Sequence, residues 1–151
     1  MSLALKQHST EDVSVFSAPF NLTVGELHRL SPAQIREAVS SLVSQGKLPL
    51  AIGICEAALA LNPNSEDMLV ISCLLAEVQQ DWARAEELLI QLVELQSPNA
   101  TAQTWFHLAR VARCQNKLDD AWVALDFAAS LYPNDAMIQE ELKSVQALVQ
   151  P

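Results

Sequence analysis

Glycine and tyrosine are scarce in this chain, three and one in 151 residues. That scarcity argues against a β-sandwich and against the glycine-rich loops that let a backbone close around phosphate. Charge is sparse too: 18% of residues are ionisable Asp, Glu, Lys or Arg, below the quarter or so usual in soluble domains. No apolar run approaches the roughly 20 residues that a membrane-spanning helix needs. The opening Met1–Ser14 has neither a basic lead nor a long apolar core, so no secretory signal is read and a cytoplasmic location is expected. Cys55, Cys73 and Cys114 are an odd set without CxxC spacing, inside helical apolar patterns where a thiol acts as a small hydrophobe, as a reducing compartment allows. The charge that exists is lopsided, 18 acidic against nine basic residues for a net −9. Such a surface repels nucleic-acid backbones and anionic lipid, so neither is an expected partner.

Half the residues are hydrophobic, and from residue 32 they follow a helical period. In Ala102–Asp135, Trp105, Leu108 and Ala112 share one helix face. Gln115-Asn116-Lys117 breaks the pattern, and Leu118, Ala121, Leu125, Ala128 and Leu131 resume it until Pro133-Asn134. One such hairpin leaves too much apolar face uncovered to stand alone. Two more precede it. Ser31-Pro32-Ala33-Gln34 is a start signal with a capping-box glutamine, leading a helix through Ile35, Ala38, Val39 and Leu42. Gln45-Gly46-Lys47 turns the chain into a helix carrying Leu48, Ala51, Cys55, Ala58 and Leu59. The next unit places Leu69, Ser72, Cys73 and Ala76 inward, turns at Gln79-Gln80-Asp81, and continues with Trp82, Ala85, Leu89, Leu92 and Val93.

Pro-Asn stops stand at 63, 98 and 133, a constant step of 35. A period of this length means an array of helical hairpins. Ahead of it, Thr23-Val24-Gly25-Glu26 has capping-box spacing for a short helix. Residues 1–21 have no helical period and read as a tail with an extended apolar piece, Val13–Phe20, that lies on the body or fills a groove. Met137 or Ile138, Leu142, Val145 and Val149 form the stripe of a last helix that covers the raw side of the array, with Trp122 beneath it. The expected divisions are an N-terminal segment 1–21, a short leading helix 22–31, hairpins 32–65, 66–101 and 102–135, and a capping helix 136–151.

These residues resemble the tetratricopeptide repeat. The third unit matches through Trp105, Leu108, Ala109, Ala121, Leu125, Ala128 and Pro133. The first matches through Gly46, Ala51, Ala58 and Pro63, and the second through Trp82, Ala85 and Leu89. The usual turn glycine is replaced by Gln80 and Asn116. The resemblance implies an all-α solenoid of three hairpins plus the capping helix, wound as a right-handed superhelix with a concave groove. The leading helices would line that groove with Arg36, Ser40, Val43, Asp67, Val70, Leu74, Glu77, Phe106, Arg110 and Arg113. A partly apolar groove of this kind is expected to hold an extended peptide of a partner protein, with an acidic flank at Arg110 and Arg113.

The repeats that grip acidic heat-shock-protein tails use a clamp of lysine, asparagines and further basic residues. Here those places hold Arg36, Ser40, Ile71, Gln103 and His107, so that use is not expected. Phe106-His107-Leu108-Ala109 and Gln45-Gly46-Lys47 resemble the small acidic chaperones that bacterial type III secretion uses for translocator subunits. That resemblance implies a client segment in the groove and a weak homodimer through the N-terminal region. The alternative is a scaffold part of an envelope or secretion assembly. Catalysis has no supporting constellation. His107 and Cys114 lie two turns apart, roughly 10 Å, beyond the reach of a thiol–imidazole pair, and Cys114 is read as buried. The histidines have no zinc spacing relative to the cysteines, no phosphate or nucleophile motif occurs, and no cofactor or metal is expected. Glu86-Glu87 and Asp119-Asp120 read as solvated helix faces.

Overall fold

The structure, a computed structural model, describes residues 24–150. Among these every regular element is a helix: α1 (Val24–Leu27), α2 (Pro32–Ser44), α3 (Leu48–Leu61), α4 (Glu66–Val78), α5 (Trp82–Leu95), α6 (Ala102–Cys114), α7 (Leu118–Leu131) and α8 (Ala136–Val149). The extended segment expected over residues 1–21, and the Thr23 end of the first capping box, lie outside the described residues. The chain divides into two compact units at Pro63/Asn64.

In the N-terminal unit α2 and α3 form a hairpin, with α1 against α3. Ser31 Oγ accepts from the Gln34 amide at 3.2 Å, and Gln34 Oε1 accepts from the Ser31 amide at 2.8 Å. This is the capping box expected from Ser31-Pro32-Ala33-Gln34, and it satisfies donors that a bare helix start leaves open. Ile35, Ala38, Val39 and Leu42 are buried on α2, and Ala51, Ile54, Cys55, Ala58 and Leu59 on α3.

The second unit stacks α4–α5, then α6–α7, then α8 on α7 with a smaller contact to α6. Four of its five helix starts are capped by Ser65, Asp81, Thr101 and Asp135, each accepting from the amide three residues on, while Lys117 gives α7 no side-chain cap. The linker before α6 is tied down. Gln96 Oε1 accepts from the Thr104 hydroxyl at 2.8 Å, and the Tyr132 hydroxyl donates to the Ala100 carbonyl at 2.6 Å. Around α6, α7 and α8 the buried set is Ala109, Ala112, Ala121, Ala124, Leu125, Ala128, Ile138 and Val145. Alanines at the crossing let the helices approach closely. Ile138, Leu142, Val145 and Val149 make the stripe of α8, and Trp122 packs half-buried beneath it.

Three hairpin turns share one geometry. Gly46, Gln80 and Asn116 sit at φ of 73°, 59° and 60°, in the left-handed region. The amide after each reaches back to the carbonyl five residues earlier: Lys47 to Leu42, Asp81 to Ala76 and Lys117 to Ala112, at 2.8, 2.9 and 2.9 Å. Each is a Schellman ending, which places its left-handed residue just past the helix.

Two expectations are corrected. Cys114 is exposed rather than buried, because the last residue of α6 falls beyond the phase set by Ala109 and Ala112. Glu86 is not a free solvated acid: it accepts from Lys117 Nζ and Gln115 Nε2, both at 2.8 Å, and joins α5 to the α6–α7 turn.

Candidate functional site

Within the second unit, α4, α5 and α6 enclose a cleft of about 210 Å³, lined by Val70, Cys73, Leu74, Leu89, Leu92, Gln103, Thr104 and His107. The helical repeat explains the lining. Val70, Cys73 and Leu74 lie three and four residues apart on α4, as Gln103 and His107 do on α6. Leu89 and Leu92 form the floor from α5, both buried, whereas Val70 and Leu74 stay 41% and 44% exposed. The cleft therefore has a buried apolar floor and a half-exposed apolar mouth.

The polar edge of the cleft is one chain of contacts. His107 Nδ1 lies 3.3 Å from Glu77 Oε1, and His107 Nε2 lies 3.1 Å from Gln103 Nε2. With Nδ1 donating to the carboxylate, a neutral imidazole accepts at Nε2 from the Gln103 amide, so both ring nitrogens are satisfied in that tautomer. The Glu77 side chain is only 8% exposed. The Cys73 thiol approaches the same carboxylate oxygen at 3.9 Å. Burial pushes the Cys73 thiol up to about 12, and the negative charge of Glu77 adds to the rise. Both effects favour the protonated thiol at neutral pH.

The expected groove residues divide between the units. Arg36 and Ser40 are exposed and Val43 half-buried on α2 of the N-terminal unit. In the second unit Val70 and Leu74 line the cleft and Glu77 joins its polar edge, while Asp67 is exposed in the first turn of α4. Phe106 packs partly against the core shared by α6, α7 and α8, and Arg113 is ion-paired with Glu141 of α8. Arg110 is exposed. Gln103, Thr104 and His107 complete the cleft although their helical phase did not single them out as groove residues. The 3–4 spacing of Val70, Leu74, Gln103 and His107 on successive leading helices was the available signal.

Among the described residues no cluster of His, Cys, Asp and Glu could hold a metal ion. Cys73 and His107 both contact the Glu77 carboxylate.

No protein-family model and no curated protein matches the chain. Solved structures do. The first TPR of Spaghetti (RPAP3) bound to the HSP90 peptide SRMEEVD is 19% identical, covering 79% of this chain and 94% of that one, with a TM-score of 0.65. MamA MSR-1 is 16% identical over 93% of this chain and 84% of its own, with a TM-score of 0.64. The fold is that of the tetratricopeptide repeat. YrrB, a TPR protein with an unusual peptide-binding site, is 16% identical over 80% of this chain and 61% of its own, with a TM-score of 0.63. Of the clamp positions considered from sequence, Ile71 is buried, and Gln103 and His107 are bonded to each other.

Proposed function

We propose that this TPR chain is a chaperone or adaptor that holds an extended, apolar-anchored segment of a partner protein against α4 and α6. The observation that carries the reading is the 210 Å³ cleft with Val70 and Leu74 half-exposed at its mouth. A volume of that order suits one or two apolar side chains rather than a cofactor, and the Gln103–His107–Glu77 edge offers polar groups to a peptide backbone. The HSP90 peptide named with the RPAP3 repeat and the peptide-binding site named for YrrB add support from the same fold. Arg110 is the cation open to an acidic flank, Arg113 being paired with Glu141. The outward residues Arg36, Ser40 and Val43 of α2 are proposed as contacts of the same kind.

The test is Leu74→Glu. It puts a charge at the mouth of the cleft and should weaken capture of the native partner by about tenfold or more, while circular dichroism stays helical. Undiminished capture by this variant would refute the proposal. The finer reading, a cytosolic type III secretion chaperone that dimerises weakly through its N-terminal region, rests on Phe106–Ala109 and Gln45–Lys47. Co-expression with a translocator subunit and sedimentation of the chain with and without residues 1–30 test its two parts. Among the described residues no helix is long and apolar enough to cross a membrane.

A further inference from the structure

The outward side of α7 carries an apolar pair that neither the core nor the cleft uses. Val123 is 60% exposed and Phe127 49%. Four residues apart, they stand one turn above the other, about 6 Å between their β-carbons. The inward stripe of the same helix is Ala121, Ala124, Leu125 and Ala128, so the pair lies outside it. The Phe127 ring meets Trp105 of α6 edge-on, with centroids 5.2 Å apart and planes at 68°. The patch is therefore continuous with a second aromatic and is not two isolated surface hydrophobes.

Carboxylates flank it. Asp119, Asp120 and Asp126 are all exposed on α7. The neighbouring cation, Lys117, is held by Glu86. The second unit as a whole, residues 64–150, has 13 acidic against five basic residues, a net −8. That charge decides among occupants. Two copies of α7 face to face would bring six aspartates together at neutral pH, and an anionic membrane would be repelled. A cationic surface with matching apolar groups is complementary.

We propose that this face of α7 docks a basic amphipathic helix of a partner protein, its two apolar residues one turn apart on Val123 and Phe127 and its lysines or arginines against Asp119, Asp120 and Asp126. This surface is separate from the cleft, so the two can be tested apart. The probe is a fluorescein-labelled helical peptide with leucines at i and i+4 and lysines elsewhere, titrated against the full chain by anisotropy. A twin with glutamates for lysines is the control. Binding of the lysine peptide should weaken about tenfold from low salt to about 0.5 M. Val123→Ser/Phe127→Ser should weaken it by about tenfold at constant salt. Asp119→Asn/Asp120→Asn/Asp126→Asn should flatten the salt dependence, and Leu74→Glu should leave binding unchanged. Equal binding of the glutamate twin, indifference to the serine pair, or loss with Leu74→Glu would each overturn the proposal. So would a homodimer at neutral pH that Phe127→Ser dissociates, which would make a second copy the occupant.

Discussion

The three hairpin turns form a controlled experiment in backbone strain, because glycine, glutamine and asparagine occupy one geometry at φ 73°, 59° and 60°. A left-handed conformation costs an ordinary L-residue about 1–2 kcal/mol, asparagine less, and glycine almost nothing. Against that, glycine gives the unfolded chain extra entropy worth about 0.5–1 kcal/mol. Gln80→Gly should therefore stabilise by about 0.5–1 kcal/mol, since the strain removed exceeds the entropy added. Asn116→Gly should fall near zero. Gly46→Ala should destabilise by about 1 kcal/mol or more. A β-carbon at Gly46 would meet nothing within 4 Å, so that loss is conformational and not steric. The backbone bonds closing the turns are untouched by all three changes. Urea unfolding supplies the numbers, read by circular dichroism for the whole chain and by tryptophan fluorescence for the second unit, which holds Trp82, Trp105 and Trp122. For a chain of this length 1 kcal/mol moves the melting temperature by about 2–4 °C. A destabilising Gln80→Gly, a neutral Gly46→Ala, or equal gains at 80 and 116 would refute the reasoning.

Other predictions follow from single contacts. The Lys117 ammonium, and then the Gln115 amide, hold the Glu86 carboxyl below its ordinary 4.5, outweighing burial. Glu86→Gln should cost about 0.5–1 kcal/mol at neutral pH. Because the folded value is the lower one, the difference from the parent is full above about 4.5 and disappears as pH falls through the folded value; urea midpoints across that window measure it, and a pH-independent difference would contradict the assignment. Ser72 Oγ is buried without a hydrogen-bond partner, so Ser72→Ala should stabilise by about 1 kcal/mol in the same assay, whereas a loss would reveal a partner. At pH 8 a thiol reagent should modify exposed Cys114 rapidly, and buried Cys55 and Cys73 only on unfolding; rapid modification in a Cys55→Ser/Cys114→Ser variant would show that the cleft opens. Ile138→Ala, at a fully buried site on the inner face of α8, should cost about 2–4 kcal/mol in thermal melting.

Much of the fold was legible because it is local. The Pro-Asn step of 35, the Ser31–Gln34 box and the apolar phases depend on neighbours within one turn, and α2 through α8 follow from them. The left-handed turn residues were visible as the places where family glycines are replaced. Two of the eight cleft-lining residues were legible as groove residues, since Val70 and Leu74 follow from the phase of α4. What escaped depends on side chains about 30 residues apart. Glu77 with His107, Glu86 with Lys117 and Arg113 with Glu141 meet only once helices are stacked at a definite spacing and height. Helical phase placed Arg113 on the groove wall, but no periodicity could reveal that α8 brings a carboxylate to it. Cys73 read as core and is buried, yet it also lines the cleft. Phe127 and Val123 lie outside the inward stripe of α7 and interrupt no helical period, so the patch they form has no signature in the sequence.

The seam of alanines between α6, α7 and α8 has its own consequence. Where Ala109, Ala121 and Ala128 leave no accessible surface, the distance between rods is set by bare methyl groups. Any bulkier replacement acts as a wedge, prising α6 from α7 and unseating α8 at once. Size is thus rationed along the spine while the outer walls remain free to change chemistry, so the same scaffold can be re-dressed for a new ligand without being rebuilt.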